Sequence, residues 1–162
     1  LTDRALLKKD ADYRMNPPLR TEKDRLAMIE ALRDGTIDAI ATDHAPHTPE
    51  EKADFLKAPN GSIGMETSFS ASYTALVKTG VLTLPALIER MSVRPAQILG
   101  IEAGVIEAGA PADVALIDEN AVWTVDPDKL HGKSRNTPFK GMTLHAKVRA
   151  TVCGGRIVYS EL

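Results

Sequence analysis

The stretch GTIDAIATDHAPHTPEEK, residues 35–52, decides the fold prediction for this chain. Its apolar run from Ile37 to Ala41 has the length and composition of a short buried strand. Asp43 follows almost at once, and His44 and His47 come next, beside two prolines. In closed α/β barrels the reactive side chains come from the C-terminal ends of buried parallel strands. The stretch therefore predicts a strand that carries polar chemistry at its end.

The sequence before this strand has the pattern of an α/β unit. YRMNPPLR, residues 13–20, reads as an extended segment because each proline biases the preceding residue away from helix. TEKDRLAMIEALRDG, residues 21–35, predicts a helix that Thr21 and Asp24 cap and that Gly35 closes. The order strand, helix, strand is typical of a parallel α/β layer. Residues 44–65 are expected to form a long loop, and loops of this length are usually functional or disordered.

The character of the sequence changes after three further helical patterns, the last of which ends at Gly100. Short β-like runs follow, ADVALID, VWTVD and AKVRATVCGGRIVYS, and the two adjacent glycines in the last run indicate a hairpin. We therefore expect an α/β segment at residues 1–103 and a β-rich segment at residues 104–162.

Composition excludes several classes of function. A net charge of −2 and 4% aromatic residues give no reason to expect nucleic acid or an anionic membrane as partner. No apolar run reaches the roughly 20 residues of a membrane span. The single cysteine, Cys153, is expected to be a strand residue of a protein in a reducing compartment, which predicts a cytoplasmic location. Because the chain begins at Leu1, we do not expect a native translation start there.

Asp43, His47 and Asn16 are the candidate site residues. A carboxylate at Asp43 can ligate a metal or transfer a proton, but it can equally cap the turn, with His44 and His47 as surface residues. His47 can bind a metal, transfer protons or bind a substrate carboxylate, whereas His44 is expected to pack behind Asp43. The Asn16 amide can orient a polar ligand, or it can belong to a plain Asn-Pro turn.

Several segments together resemble one enzyme family. They are KDADYRMNPPLRTEKDR, GTIDAIATDHAPHTPEEK, GMETSFSASYT, PAQILGIEAGVIEAGAPADVALID and the closing SRNTPFKG and ATVCGGRIVYS. In this order they resemble bacterial type I dihydroorotases of the metal-dependent amidohydrolase superfamily. The resemblance implies a (β/α)8 barrel with a small β-rich module, one or two zinc ions, and reversible hydrolysis of (S)-dihydroorotate to N-carbamoyl-L-aspartate in pyrimidine synthesis.

The resemblance also assigns roles to individual residues. It implies that Asp43 is a zinc ligand and the catalytic acid/base, and that the substrate is bound by Asn16, His47, Asn60 and Gly61. The family's other zinc ligands have no counterpart here, since the sequence has four histidines and no His-x-His pair. The resemblance thus implies the C-terminal portion of such a barrel, which we expect to be inactive by itself.

Partners and alternatives follow from this expectation. The expected partners are the small-molecule substrate and the N-terminal part of the barrel, with a homodimer or aspartate transcarbamoylase as further possibilities. One alternative is a non-catalytic assembly module beside aspartate transcarbamoylase. The other is a related cyclic amidohydrolase, such as an allantoinase or a hydantoinase.

Overall fold

The longest helix, α1 (Glu22–Asp34), begins and ends where the sequence predicts. The backbone N–H of Asp24 donates to the Thr21 hydroxyl at 3.3 Å, and the backbone N–H of Thr21 donates to the Asp24 carboxylate at 3.1 Å. This reciprocal pair satisfies backbone donors that the first turn of a helix leaves unpaired. At the other end, Gly35 has a φ of 86°, a left-handed conformation that terminates helices.

The computed structural model describes residues 1–162, which form two compact units. The first unit consists of Leu1–Asp34, Ala41–Ser68 and Thr124–Thr143, and the second of Gly35–Ile40, Phe69–Trp123 and Leu144–Leu162. These units do not follow the division expected at residues 103 and 104, because residues 124–143 belong to the first unit. The division of the complete barrel protein at that point stays a prediction.

The first unit contains little regular structure besides α1. Three short 3-10 helices cover Asp3–Lys8, Ala11–Tyr13 and Pro127–Lys129, and no helix or strand lies between Asp34 and Ser68. The long loop expected at residues 44–65 is therefore confirmed. Most buried residues of this unit are small, polar or proline (Ala11, Ala58, Thr67, Pro127, Asn136, Thr137 and Pro138), and the others are Tyr13, Ile63, Val125 and Leu130.

Helical segments and a sheet make up the second unit. The helices are α2 (Ser68–Ser72), which continues as a π-helical turn at Tyr73–Val77, α3 (Leu84–Ile88), which continues as a π-helical turn at Glu89–Val93, and α4 (Arg94–Leu99). The strands are β1 (Val114–Thr124), β2 (Thr143–Cys153) and β3 (Arg156–Ser160), in the spatial order β1-β2-β3. The expected glycine hairpin is confirmed, since β2 and β3 pair antiparallel with Cys153 opposite Arg156.

Polar contacts fasten the helices of the second unit to its sheet. Ser70 is buried, and its hydroxyl donates to the carbonyl of Ala146 in β2 at 2.7 Å. The Trp123 indole N–H donates to the same carbonyl at 3.1 Å. Leu87 and Leu144 are almost fully buried. The core of this unit thus lies between the helices and the strands.

The prediction of a strand at TIDAIAT, residues 36–42, is wrong. This segment is irregular and has no strand beside it. One backbone bond, from the Ile40 N–H to the Arg90 carbonyl at 2.9 Å, holds its middle. A strand requires a neighbouring strand to complete its hydrogen-bond ladder, and an apolar run signals burial without supplying that neighbour. None of the helices combines the length and the apolar character that a membrane span requires.

Candidate functional site

The Asp43 carboxylate has no bonding partner within the chain. The residue is exposed, and its side chain makes no hydrogen bond or ion pair within the chain. Its φ is 44°, in the left-handed region that few residues other than glycine adopt, although aspartate tolerates it better than most. An unpaired carboxylate on a strained backbone is available to ligate a cation or to accept a proton.

His44 is occupied by the backbone of the same loop. Its Nδ1 accepts hydrogen bonds from the N–H of Gly64 at 3.1 Å and from that of Met65 at 3.4 Å. Since Nδ1 is the acceptor, the proton of the neutral ring lies on Nε2. His44 therefore holds the far end of the loop close behind Asp43, which is the packing role expected of it.

His47 and Asn60 are brought together by the structure. The Nε2 of His47 lies 3.1 Å from the carbonyl oxygen of Asn60, and because a carbonyl only accepts, this nitrogen carries a proton. The other ring nitrogen lies 3.7 Å from the Glu51 carboxylate. Thr48 and Glu51 exchange hydrogen bonds that shape the turn after His47. The backbone N–H of Thr48 is the main cause of a lowered pKa at Glu51.

Gly61 occupies a position that admits no side chain. Its φ is 109°, and a Cβ built on it would lie 2.5 Å from the Cβ of Ala45. Its N–H donates to the carbonyl of Arg14 at 2.8 Å. The Arg14 guanidinium in turn donates to the Asn60 side-chain oxygen at 3.1 Å. The Asn60–Gly61 segment is thus fixed both to the loop that contains His47 and to the segment that precedes Asn16.

Asn16 and Asp43 are not joined to these residues by any hydrogen bond. Asn16 is exposed and precedes Pro17 through a cis peptide bond. Next to the Asn60 segment, an open cavity of about 270 Å³ is lined by Leu6, Arg14, Met15, Pro18, Phe55, Leu56 and Asn60. Of the five predicted site residues, the structure therefore connects His47, Asn60 and Gly61 directly.

Asn136 is a central residue of the site that our sequence interpretation missed. It is buried, and its amide nitrogen donates to the carbonyls of Ala45 at 2.9 Å and Gly61 at 3.3 Å. Its amide oxygen accepts from the backbone N–H of His47 at 3.1 Å. The only signal was its place in the NTPFKG motif, which suggested kinship and no role.

Lys52 was also missed, because it lies in the charged run PEEK, residues 49–52, whose composition predicts a solvated face. Its ammonium donates to three backbone carbonyls, those of Ala11, Pro59 and Gly61. The remaining histidines take no part in these hydrogen bonds. His131 is mostly exposed and pairs with Glu66 at 2.9 Å, and the backbone N–H of His145 donates to the Thr74 hydroxyl.

The residues of this chain do not complete a metal site. No group of three or more His, Cys, Asp or Glu side chains is arranged to hold a metal ion. A zinc site takes three or four ligands, and the uncommitted Asp43 carboxylate supplies one oxygen donor of the appropriate kind. The residues of this chain thus supply one ligand of a zinc site and not the complete set.

The sequence model of the amidohydrolase family matches residues 2–158, and the chain therefore belongs to the amidohydrolase family.

Two curated relatives that this chain resembles are named dihydroorotase. The chain is 52% identical to the dihydroorotase of Geobacter metallireducens, over 99% of this chain and 38% of that protein. It is 49% identical to the dihydroorotase of Bacillus caldolyticus, over 94% of this chain and 36% of that protein. The chain thus spans a little over a third of the length of these curated relatives.

Solved structures agree with the expected fold. The L-hydantoinase (dihydropyrimidinase) of Arthrobacter aurescens superposes with a TM-score of 0.92 at 29% identity, covering 99% of this chain and 37% of that one. The dihydropyrimidinase of Brevibacillus agri superposes with a TM-score of 0.91 at 28% identity, covering 99% of this chain and 37% of that one. The chain is therefore part of a (β/α)8 amidohydrolase barrel with a small β-rich portion.

Proposed function

We propose that this chain is the part of a dihydroorotase that supplies the proton-transfer carboxylate and half of the substrate cradle. The reaction is the reversible hydrolysis of (S)-dihydroorotate to N-carbamoyl-L-aspartate, a step of pyrimidine synthesis in the cytoplasm. The observation that carries the proposal is the 52% identity to a protein named dihydroorotase over a segment that contains all five site residues.

Asp43 has the chemistry that the reaction requires of a base. Opening the cyclic amide forms a C–O bond from water to the ring carbonyl carbon and breaks the ring C–N bond. We assign to the Asp43 carboxylate the proton that the attacking water loses, and the return of that proton to the departing ring nitrogen. A zinc ion, when bound, activates water near neutral pH. Asp43 is the one ligand that we assign to it within these residues.

His47 and Asn60 suit a substrate that carries both a carboxylate and ring N–H groups. The Nε2–H of His47 donates to the Asn60 carbonyl. We propose that the substrate replaces this contact with two others: its carboxylate accepts from the His47 Nε2–H, and a ring N–H donates to the Asn60 carbonyl. Asn16 adds an amide at the end of the adjacent segment. Such fixed contacts orient the ring carbonyl for attack.

The superposition on proteins named hydantoinase and dihydropyrimidinase supports a second candidate function, that of those enzymes, but less strongly than the sequence identity supports a dihydroorotase. The distinction lies in the exocyclic carboxylate of dihydroorotate, which hydantoin and dihydrouracil lack. An assembly role beside aspartate transcarbamoylase, or in a homodimer, stays a prediction.

The experiment replaces the matching segment of the Geobacter metallireducens dihydroorotase with this chain. We expect the chimaera to hydrolyse dihydroorotate with a kcat/KM about 5- to 150-fold above its values for hydantoin and dihydrouracil, since a buried donor left unpaired costs about 1–3 kcal/mol. The relative itself is the positive control, and the same relative without this segment is the negative control. A preference for hydantoin or dihydrouracil would contradict the proposal.

A further inference from the structure

Lys52 makes an arrangement of hydrogen bonds that a solvated surface lysine does not make. Its Nζ lies 3.1 Å from the Ala11 carbonyl oxygen, 2.9 Å from that of Pro59 and 2.8 Å from that of Gly61. A lysine ammonium has three N–H donors, and three acceptors receive them here. No Asp or Glu oxygen lies within ion-pair distance of this nitrogen. Lys52 therefore has no donor left with which to contact a substrate.

The three carbonyls belong to two segments of the site. Ala11 begins the short helix that leads through Arg14 to Asn16, whereas Pro59 and Gly61 flank Asn60 on both sides. Lys52 itself follows His47 by five residues. We call this ammonium with its three carbonyls the Lys52 clamp. The clamp thus links the three stretches of chain that carry His47, Asn16 and Asn60.

The surroundings show that this position is costly for a charge. Burial lowers the pKa of Lys52, and the negative charge of Asp12 opposes that effect. Burial also raises the pKa of Asp12 to about 6. Replacing the lysine by an apolar residue would remove one donor from each of the three carbonyls. The Ala11 carbonyl would keep the Arg14 N–H and the Gly61 carbonyl would keep the Asn136 amide, whereas the Pro59 carbonyl would lose its donor, which is costly for a partly buried polar group.

We propose that Lys52 is a positioning residue for substrate binding, acting through the Asn60–Gly61 segment. The clamp sets where the Asn60 carbonyl meets the imidazole of His47, and the backbone on both sides of Asn60 is fixed by the same nitrogen. This inference rests on the proposed function, because the substrate that binds to the Asn60–Gly61 segment is the dihydroorotate proposed above.

The test compares Lys52→Met and Lys52→Arg in the chimaera with dihydroorotate as substrate. We expect Lys52→Met to raise KM at least about tenfold while kcat stays within about threefold. Lys52→Arg is expected to resemble Lys52→Met, because a planar guanidinium cannot direct one nitrogen at three converging carbonyls. The matched control is Lys147→Met, which removes another partly buried ammonium, one that pairs with Glu161. Its KM should be unchanged.

Two results would overturn the proposal. One is a loss confined to kcat or to soluble yield, with an unchanged KM, which would mean that Lys52 only stabilises the fold. The other is full rescue by Lys52→Arg, which would mean that a positive charge suffices. If Lys52→Met does not fold, Arg14→Met tests the same segment, since Arg14 holds the Asn60 side chain and the Phe55 carbonyl. It too must raise KM.

Failure of the proposed function would look different from failure of this inference. In that case the unmutated chimaera would not turn over dihydroorotate at all. The clamp is then tested without turnover, by measuring amide hydrogen exchange on the 162-residue chain. Lys52→Met should speed exchange of the Gly61 N–H, which donates to the Arg14 carbonyl. Unchanged exchange there would overturn the clamp by itself.

Discussion

His47 is held on three sides by neighbours that leave its ring little freedom. Its backbone N–H donates to Asn136, one ring nitrogen meets the Asn60 carbonyl, and the other faces Glu51. An imidazole fixed in this way contributes to binding with little further loss of side-chain entropy. Such an environment suits the substrate-binding role that we propose for His47.

Replacing His47 by alanine should therefore weaken binding of the carboxylate substrate. Since a hydrogen bond to a charged group contributes about 1.5–3 kcal/mol, we expect KM for dihydroorotate to rise about 10- to 100-fold in the chimaera. His131→Ala, which removes a mostly exposed imidazole, is the control and should leave KM unchanged. A loss of bound metal with an unchanged KM would instead make His47 a ligand.

Motif resemblance predicts that His47 and Gly61 are site residues, which stays a prediction, whereas the sequence did not reveal the contacts of Asn136. The contacts of Asn136 with Ala45, His47 and Gly61 span 75 to 91 residues of sequence. No local pattern encodes a contact of that separation, and an asparagine in an Asn-Thr-Pro run reads as an ordinary turn residue. The contacts of Lys52 were hidden for a different reason, because its partners are backbone carbonyls, which any sequence supplies.

At the scale of elements, features specified by neighbouring residues could be predicted. The boundaries of α1 follow from Thr21, Asp24 and Gly35, which all lie within the helix or next to it. The segment at residues 36–42 could not be predicted, because a strand depends on a partner that is distant in sequence. Its apolar composition predicted a buried strand, and both parts of that prediction are wrong, since these residues are half-buried or exposed and form no strand.

The hairpin between β2 and β3 gives a prediction at this scale. Gly154 and Gly155 have φ values of 55° and 76°, a left-handed conformation that costs other residues about 1–2 kcal/mol each. Gly155→Ala should lower the free energy of unfolding by about that amount in urea denaturation. Gly132→Ala is the control, since Gly132 does not have a positive φ and a Cβ there would make only ordinary contacts. Equal stability of the two variants would contradict this description of the turn.

At the scale of the whole molecule, Asp12 links stability to pH. Burial and the nearby charge of Asp10 raise its pKa from 3.8 to about 6. A raised pKa in the folded state means that folded protein binds more protons than unfolded protein between these values. The resulting stabilisation is fully present below pH 3.8 and is lost as the pH rises through about 6.

The free energy of unfolding should therefore respond to Asp12→Asn in a pH-dependent way. Relative to the variant, the unmutated chain should lose stability as the pH rises from about 4 to about 6, as measured by urea denaturation at a series of pH values. A difference that stays constant across this range, or that changes in the opposite direction, would contradict the assigned pKa.

The family membership of the chain rests on nearly its whole length, whereas the proposed chemistry rests on one loop. Family resemblance predicted the barrel class, and the superpositions on hydantoinases confirm it. The metal-binding role of Asp43 stays a prediction, because ligands for a complete site are not arranged within these residues. What the structure adds is a carboxylate that is free of internal partners, beside a loop that is otherwise closely bonded.

The measurement that tests the account most directly is the turnover of dihydroorotate by the chimaera with Asp43→Asn. Loss of the proton-transfer group should lower kcat by at least about 10²–10⁴-fold while the urea denaturation curve stays nearly unchanged. Glu50→Gln, which neutralises an exposed carboxylate in the same loop, should retain full activity. If Asp43→Asn keeps kcat within about tenfold of the unmutated chimaera, Asp43 is not the acid/base and the proposed mechanism is wrong.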